Sequence, residues 1–164
     1  MASTAQILIT EVAGELTSAL AEIGWNVLIA RGELSAIECL YRQGNQGLAV
    51  VRWQGATPLQ QSRTSLVARH RFVITLSARR PLGEDALGQL QGNPNDTSLL
   101  LATDIARSAI RKMEIPARLR PSPQDVCPDF VGESPLSLPE NFPADGIEQS
   151  WTATLADLDL DETT

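Results

Sequence analysis

Few side chains in this sequence are of the types that catalyse reactions, and they lie far apart. The chain holds a single histidine, His70, and two cysteines, Cys39 and Cys127. A nucleophilic cysteine needs a base within hydrogen-bond reach, and one histidine can serve only one of the two. His70 also falls on the apolar phase of an alternating segment, which is typical of a packed histidine. We therefore expect His70 to be structural and both cysteines to be reduced and structural.

Phosphate-binding and metal-binding motifs are incomplete as well. The glycines at 83, 88 and 92 are not followed by the Lys-Ser or Lys-Thr pair of a phosphate-binding loop. Asp157, Asp159 and Asp161 have the spacing of the first ligands in an EF-hand calcium loop, but the required glycine and the bidentate glutamate are missing. We therefore expect no cofactor, no metal site and no catalytic residue, and we predict that the protein is not an enzyme.

Composition is that of a globular protein with one core. The 164 residues are 43% hydrophobic and 20% charged, which is typical of a folded domain. No apolar run approaches the roughly 20 residues that cross a bilayer, and the first residues lack the basic start of a signal peptide. We expect a soluble intracellular protein with no membrane partner. The formal net charge of −7 argues against tight binding of nucleic acid, which needs a basic surface.

Two segments, Leu48–Trp53 and Arg69–Arg79, organise the predicted fold. In the second segment one phase of alternate residues is apolar apart from its histidine, and the residues between them are more polar. The members of the apolar phase are His70, Phe72, Ile74, Leu76 and Ala78. This alternation predicts a half-buried strand, and the two segments are expected to pair as neighbours in an antiparallel sheet. Gly55–Val67 is too long for an ordinary hairpin turn, so it is predicted to be a loop, either a solvated arm or a partner-binding loop.

Two segments with apolar residues at helical spacing can cover the apolar face of that sheet. Ala5–Ile23 is predicted to be a helix with Ser3 or Thr4 as its N-cap and Gly24 as its stop. Ser98–Met113 is predicted to be a second helix. The apolar side of that second helix is expected to comprise Leu101, Ile105, Ala109 and Met113, with Leu100 flanking.

The remaining predicted elements are shorter. Strands are expected at Trp25–Ala30, Asp129–Glu133 and Gly146–Ala156, and Glu33–Arg42 is open between a short helix and a strand. Prolines at 116, 121, 123, 128, 135, 139 and 143 exclude a long helix in that region. The predicted fold class is therefore α+β, a mostly antiparallel sheet with two main helices packed on one face. Residues 1–156 are expected to form a single domain, and 157–164 an acidic flexible tail.

The charges are distributed unevenly along the chain. Arginines at 52, 63, 69, 71, 79 and 80 surround the two organising segments, whereas acidic residues concentrate near the termini and in 129–148. Such a division permits head-to-tail pairing of the basic side of one subunit with the acidic side of its neighbour. An ordinary solvated mixture of charges explains the same pattern equally well.

Several strings of the sequence together resemble a known family. They are, in order, LAVVRWQG, RHRFVITLSARR, SLLLATDIARSAI, DFVGE and GIEQSWTATLA, and they follow an N-terminal amphipathic helix. In this order the chain looks like the tail terminator proteins of tailed bacteriophages, of the Mu-like and lambda-like kind. The similarity extends roughly over Ala5–Ala156. It rests on the order of the elements and on short strings such as VRWQG.

The resemblance implies a structural role in the virion. Proteins of this family form a hexameric ring on the head-proximal end of the tail tube, stop tube polymerisation and provide the docking surface for the head and neck. The implied partners are other copies of the chain, the tail tube protein, a neck or head-completion protein and, in contractile tails, the tail sheath, with DNA only passing through the lumen. The implied location is the tail or neck of the virion, and the host cytoplasm during assembly.

Candidate contact residues follow from position in the chain. We expect the loop between the organising strands to contact a neighbouring ring, through Gly55, Pro58, Gln60, Gln61, Arg63 and Thr64. Arg52, Arg69 and Arg71 are candidates for salt bridges between subunits. Two alternatives remain open: a head-completion or tube-adaptor protein of the same particle, and a monomeric ligand-binding module or small enzyme with a pocket around His70 and Trp53.

Overall fold

One sheet and two α-helices make up the fold in a computed structural model, which describes residues 2–32, 36, 38–39, 47–79, 99–136 and 144–157. The helices are α1 (Thr4–Leu20) and α2 (Leu99–Lys112), and the strands are β1 (Asn26–Ala30), β2 (Leu48–Gln61), β3 (Leu66–Arg79), β4 (Asp129–Pro135) and β5 (Ala144–Ala156). Short 3-10 turns lie at Ala21–Ile23 and Ala117–Leu119. The predicted α+β class is confirmed.

The sheet has five strands in the order β1-β2-β3-β5-β4. The pairs β2–β3, β3–β5 and β4–β5 are antiparallel, as predicted for the organising strands, whereas β1 runs parallel to β2. The strand predicted at Gly146–Ala156 occupies an inner position between β3 and β4. Its alternating apolar residues therefore face a covered surface and not solvent.

Helix α1 begins and ends where local sequence chemistry requires. The Ser3 side chain accepts a hydrogen bond from the backbone N–H of Gln6, and the Gln6 side chain accepts one from the backbone N–H of Ser3. This reciprocal cap satisfies two N–H groups at the helix start. Gly24 has a φ of 70° and follows the 3-10 turn that ends the helix. The predicted helix and both of its boundary signals are confirmed.

Both helices cover the same face of the sheet and enclose the main core. Its largest fully buried members are Trp151, Phe72, Leu8, Leu16, Leu20, Ile74, Leu76, Leu99, Ile110, Ile115, Leu119 and Leu155. The predicted apolar side of α2 was wrong in part. Met113 is buried and Ile105 packs against the core, but Leu101 is 49% exposed and the buried side also carries Ala102, Ala106 and Ile110. The two small alanines let the helix backbone approach the sheet closely, which a row of longer side chains would prevent.

The other face of the sheet is also partly covered. Val73, Thr75 and Ser77 of β3 are buried, although the alternation had marked this phase as the more polar face. A small second cluster on this side comprises Ala30, Ala36, Leu48, Val50 and Ala144, with Cys39 and Leu136 against it. The centre of β3 is therefore buried on both faces.

Some predictions fall on residues outside the described part of the chain. These are most of Glu33–Arg42 and the acidic tail beyond Asp157. Within Glu33–Arg42, the described residues Ala36, Glu38 and Cys39 are helical. The strand predicted at Asp129–Glu133 is confirmed as β4. Over the described ranges, no helix is both long and apolar enough to span a bilayer.

Candidate assembly surface

The β2–β3 hairpin continues past the end of β1, and we call its outer part, Gly55–Leu66, the hairpin arm. The last pair between β1 and β2 joins Ala30 to Arg52. Beyond that pair no described strand lies on the outer side of β2, whereas β3 pairs with β5 as far as Val67 and Ala156. Around the hairpin arm the sheet is therefore three strands wide, β2, β3 and β5, and among the described residues β2 is its open outer edge.

The loop predicted over Gly55–Val67 was wrong, because most of this segment is strand. The β2–β3 ladder continues to the pair Gln61 and Leu66, with bulges between Trp53 and Gly55 and between Pro58 and Gln60. Gly55 has a φ of 111°, a conformation that favours glycine. Proline is tolerated in β2 here because its outer edge has no ladder to complete.

The tip of the hairpin arm is fixed by one serine side chain. The backbone N–H groups of Thr64 and Ser65 donate to Ser62 Oγ at 3.3 and 3.1 Å. The backbone N–H of Ser62 donates to the carbonyl oxygen of Ser65 at 2.8 Å. A hydroxyl that accepts from the turn's own backbone holds the turn in one shape. The tip is thus preorganised for contact with a partner, which lowers the entropy lost on binding.

The predicted contact residues all lie on the hairpin arm, and most are exposed. Gly55 is partly buried, whereas Pro58, Gln60, Gln61, Arg63 and Thr64 are exposed. Sequence reasoning missed Leu59, whose side chain is 48% exposed. Its signal in the sequence was a large apolar residue between polar neighbours in a segment without helical or strand periodicity. Leu59 gives the arm an apolar contact point.

The three arginines proposed for salt bridges share the sheet face opposite the helices. Arg52 lies across the ladder from Val73, and Arg69 and Arg71 lie on the same phase of β3. Arg52 Nη2 is 3.9 Å from Glu148 Oε2, and its side chain is only 14% exposed. Arg52 therefore has a partner in its own chain. Arg69 and Arg71 are exposed, and among the described residues no carboxylate forms an ion pair with either.

His70 lies at the base of the hairpin arm, between Trp53 and Asp157. Trp53 Nε1 donates to His70 Nδ1 at 3.2 Å, so the proton of the neutral imidazole is assigned to Nε2. His70 Nε2 is 3.6 Å from Asp157 Oδ1, too long for a hydrogen bond but close enough for electrostatic attraction. The sequence predicted a packed histidine, and His70 is 4% exposed. Its two partners are distant in sequence and gave no local signal.

Burial lowers the pKa of His70 below the ordinary 6.5, and the Asp157 carboxylate opposes this shift in part. The unfolded chain therefore binds more protons than the folded chain as the pH falls through about 6.5. The contribution of His70 to stability is complete above that pH and is lost progressively on acidification. Protonation of Nδ1 also removes the acceptor used by Trp53.

We expect the free energy of unfolding to be lower at pH 5.5 than at pH 7.5, and His70→Asn to reduce this difference. The asparagine oxygen can accept from Trp53 in place of Nδ1, but it does not titrate. Urea unfolding of both proteins at the two pH values measures the effect, and the chain has no other histidine to confuse it. An equal pH difference in the two proteins would contradict the assignment.

A shallow, open depression of about 910 Å³ lies beside Trp53, the hydrogen-bond partner of His70, between the start of α1 and the end of β1. Ile9, Ile29, Arg31 and Trp53 are among the residues that line it. Arg31 is the one ionisable side chain among its described lining residues. Its described lining residues thus include no acid–base pair and no nucleophile beside a base, the arrangements that acyl or proton transfer needs.

Metal-binding and sulfur chemistry find no support in the described ranges. Over those residues, no group of three or more His, Cys, Asp or Glu side chains is placed to hold a metal ion. Cys39 and Cys127 are both free and partly buried.

No protein-family model matches the chain, and no curated protein matches it.

Proposed function

We propose that this chain is a structural subunit of a phage tail that acts as a tail terminator. Copies form a hexameric ring on the head-proximal end of the tail tube, end tube growth and offer a surface to the neck. The order of elements that resembles this family is compatible with the observed α+β fold. The protein has no chemistry of its own in this role, and its activity is contact with neighbours.

The observation that carries the proposal is the hairpin arm. The exposed end of β2 and the turn that follows it bury little apolar surface, so they contribute little to the stability of their own chain. An exposed segment with a preorganised tip is useful when it contacts another molecule. On a ring subunit we expect it to contact the adjacent ring of the tube. The acidic net charge of −7 also suits a channel through which DNA passes without binding.

We expect Leu59→Asp to abolish tube capping while the subunit still folds. Leu59 is 48% exposed at the hairpin arm, so a charge there disturbs a docked partner far more than the isolated chain. The measurement is the length distribution of tubes grown from the tail tube protein with and without each variant. The melting temperature of the Leu59→Asp protein should stay close to that of the wild type, because substitutions at exposed positions usually change the free energy of unfolding by less than about 0.5 kcal/mol.

Leu100→Asp is the matched control for this experiment. Leu100 is 45% exposed but lies at the start of α2, away from the hairpin arm. An aspartate near a helix N-terminus is tolerated by the helix dipole. Normal capping by both variants would remove the hairpin arm from the proposal. A different result would favour the adaptor role instead: the wild-type protein binds a neck protein but does not change the length of the tubes.

A further inference from the structure

The two edge strands of the sheet carry a large share of the exposed apolar side chains. On β1, Leu28 and Ile29 are 44% and 52% exposed, and on β4, Phe130 and Val131 are 39% and 58% exposed. Over the described residues, β1 pairs only with β2, and β4 pairs only with β5. Open edges with apolar side chains are templates for pairing with another chain.

We propose that β1 of one subunit pairs with β4 of the next, so that the sheet continues from copy to copy around the ring. This inference rests on the ring-forming role proposed above, and it names the surfaces that close the ring. The occupant of each edge is a second copy of the same chain. Because the two edges differ, the contact is head-to-tail, the kind of interface that generates rings when its rotation closes.

Strand direction permits this pairing. β1 is parallel to β2, and each following step across the sheet, from β2 to β3, β5 and β4, reverses direction. β1 and β4 therefore run in opposite directions within one subunit. A neighbour that is rotated about an axis along the strands keeps its strand directions, so its β4 meets β1 antiparallel. Antiparallel strands form well-aligned backbone hydrogen bonds.

The side chains fit in one register. Ile29 lies on the helix-covered face, across from Val51, and Phe130 lies on the same face, across from Trp151. Pairing Ile29 with Phe130 across the subunit boundary joins two exposed apolar groups. The bulge between Phe130 and Gly132 then sets Gly132 opposite Leu28 on the other face.

That second pair is sterically complementary. A Cβ on Gly132 would meet nothing within 4 Å in the isolated subunit, so there is open space above it for the Leu28 side chain of a neighbour.

Cysteine cross-linking tests the register directly. The two native cysteines are first removed by Cys39→Ser and Cys127→Ser. Leu28→Cys and Gly132→Cys are then introduced together into this chain. The resulting protein is bound to the ends of tail tubes and oxidised there. Opposed residues of paired strands bring Cβ atoms within disulfide range. We expect covalent oligomers up to a closed ring on a non-reducing gel. The matched control, Ile29→Cys with Gly132→Cys, places its two thiols on opposite faces of the sheet. It should therefore form no covalent oligomers on the gel.

The outcomes separate this inference from the proposed function. Tubes that are capped normally, with no covalent oligomers from Leu28→Cys and Gly132→Cys, would overturn the edge contact and leave the terminator role standing. Disulfide dimers from Leu28→Cys alone would indicate a symmetric β1–β1 contact and also overturn it. A chain that neither caps tubes nor associates with itself removes the terminator role and the edge contact together.

Discussion

Replacing Trp151 by alanine is expected to lower the free energy of unfolding by about 3–5 kcal/mol, the usual cost of truncating a large core aromatic residue. Trp151 is 1% exposed on β5 and is the largest fully buried side chain. It lies between Phe72, stacked at 6.3 Å between ring centroids, and Phe130, edge-on at 5.0 Å. The loss is a large part of the roughly 5–15 kcal/mol that stabilises a typical domain.

Trp151→Phe is the control for the Trp151→Ala experiment. Trp151 Nε1 is buried and has no hydrogen-bond partner among the described residues. Phenylalanine keeps an aromatic ring between Phe72 and Phe130 and removes this unsatisfied donor, so it should cost less than half as much as alanine. Urea unfolding at fixed pH measures both variants. A loss below about 1 kcal/mol for Trp151→Ala would contradict the central position given to this side chain.

Replacing Gln149 by glutamate is expected to reverse the sign of the pH dependence. Gln149 is 0% exposed on β5, and its Nε2 donates to the Thr103 carbonyl oxygen at 3.0 Å and to Glu133 Oε2 at 3.2 Å. A carboxyl of the same size there is buried and faces the Glu133 carboxylate. Both effects raise its pKa, by roughly 3 units for groups of this kind, which corresponds to about 4 kcal/mol lost at high pH.

The linkage for this variant is opposite to that of His70. A carboxyl whose pKa is raised in the folded state contributes fully at low pH, and its contribution is lost as the pH rises through the folded-state value. Gln149→Glu should therefore be less stable at pH 8 than at pH 5, whereas the wild type should be more stable at pH 7.5 than at pH 5.5. Urea unfolding across this range measures the difference.

Glu133→Gln in the Gln149→Glu background is the control. Removing the facing charge should recover part of the stability at pH 8, because it removes the repulsion and leaves only the cost of burial. Glu133 also forms an ion pair with Arg107, but both side chains are 30% exposed, so that pair alone contributes no more than about 1 kcal/mol. A Gln149→Glu protein whose stability does not change with pH would contradict the buried contact with Glu133.

The parts of the fold that were predicted correctly are those with strong local signals. An N-cap residue at Ser3 and the stop at Gly24 mark α1, and alternation marks β3 and β5. These patterns are local because helix caps and strand faces are set by neighbours a few residues apart. They sufficed for the α+β class.

The hairpin arm was missed because its strand signal is not local. Residues 56–61 are exposed, so no alternation of apolar and polar side chains marks them as strand. Their conformation comes from backbone pairing with β3, and β3 in turn is held by β5 along its whole length. Pro58 also argued against a strand, since the open outer edge of β2 was not visible in the sequence.

The position and exposure of most proposed contact residues could be predicted from the sequence, and their contact with a partner stays a prediction. Leu59 and the edges at Ile29 and Phe130 were not proposed from the sequence. Edge exposure depends on strand order, and the parallel placement of β1 beside β2 has no signature in a segment of five residues. The Trp53–His70 hydrogen bond likewise needs the β2–β3 register, which the bulge at Gly55 shifts.

Electron microscopy of tube ends tests the central claim most directly. Tubes are grown from the tail tube protein with this protein in excess, and particles centred on the ends are averaged. The account predicts a hexameric ring at one end of each tube, of the same diameter as the tube, and tubes of limited length. Bare ends on freely growing tubes, with this protein remaining in solution as monomers, would contradict it.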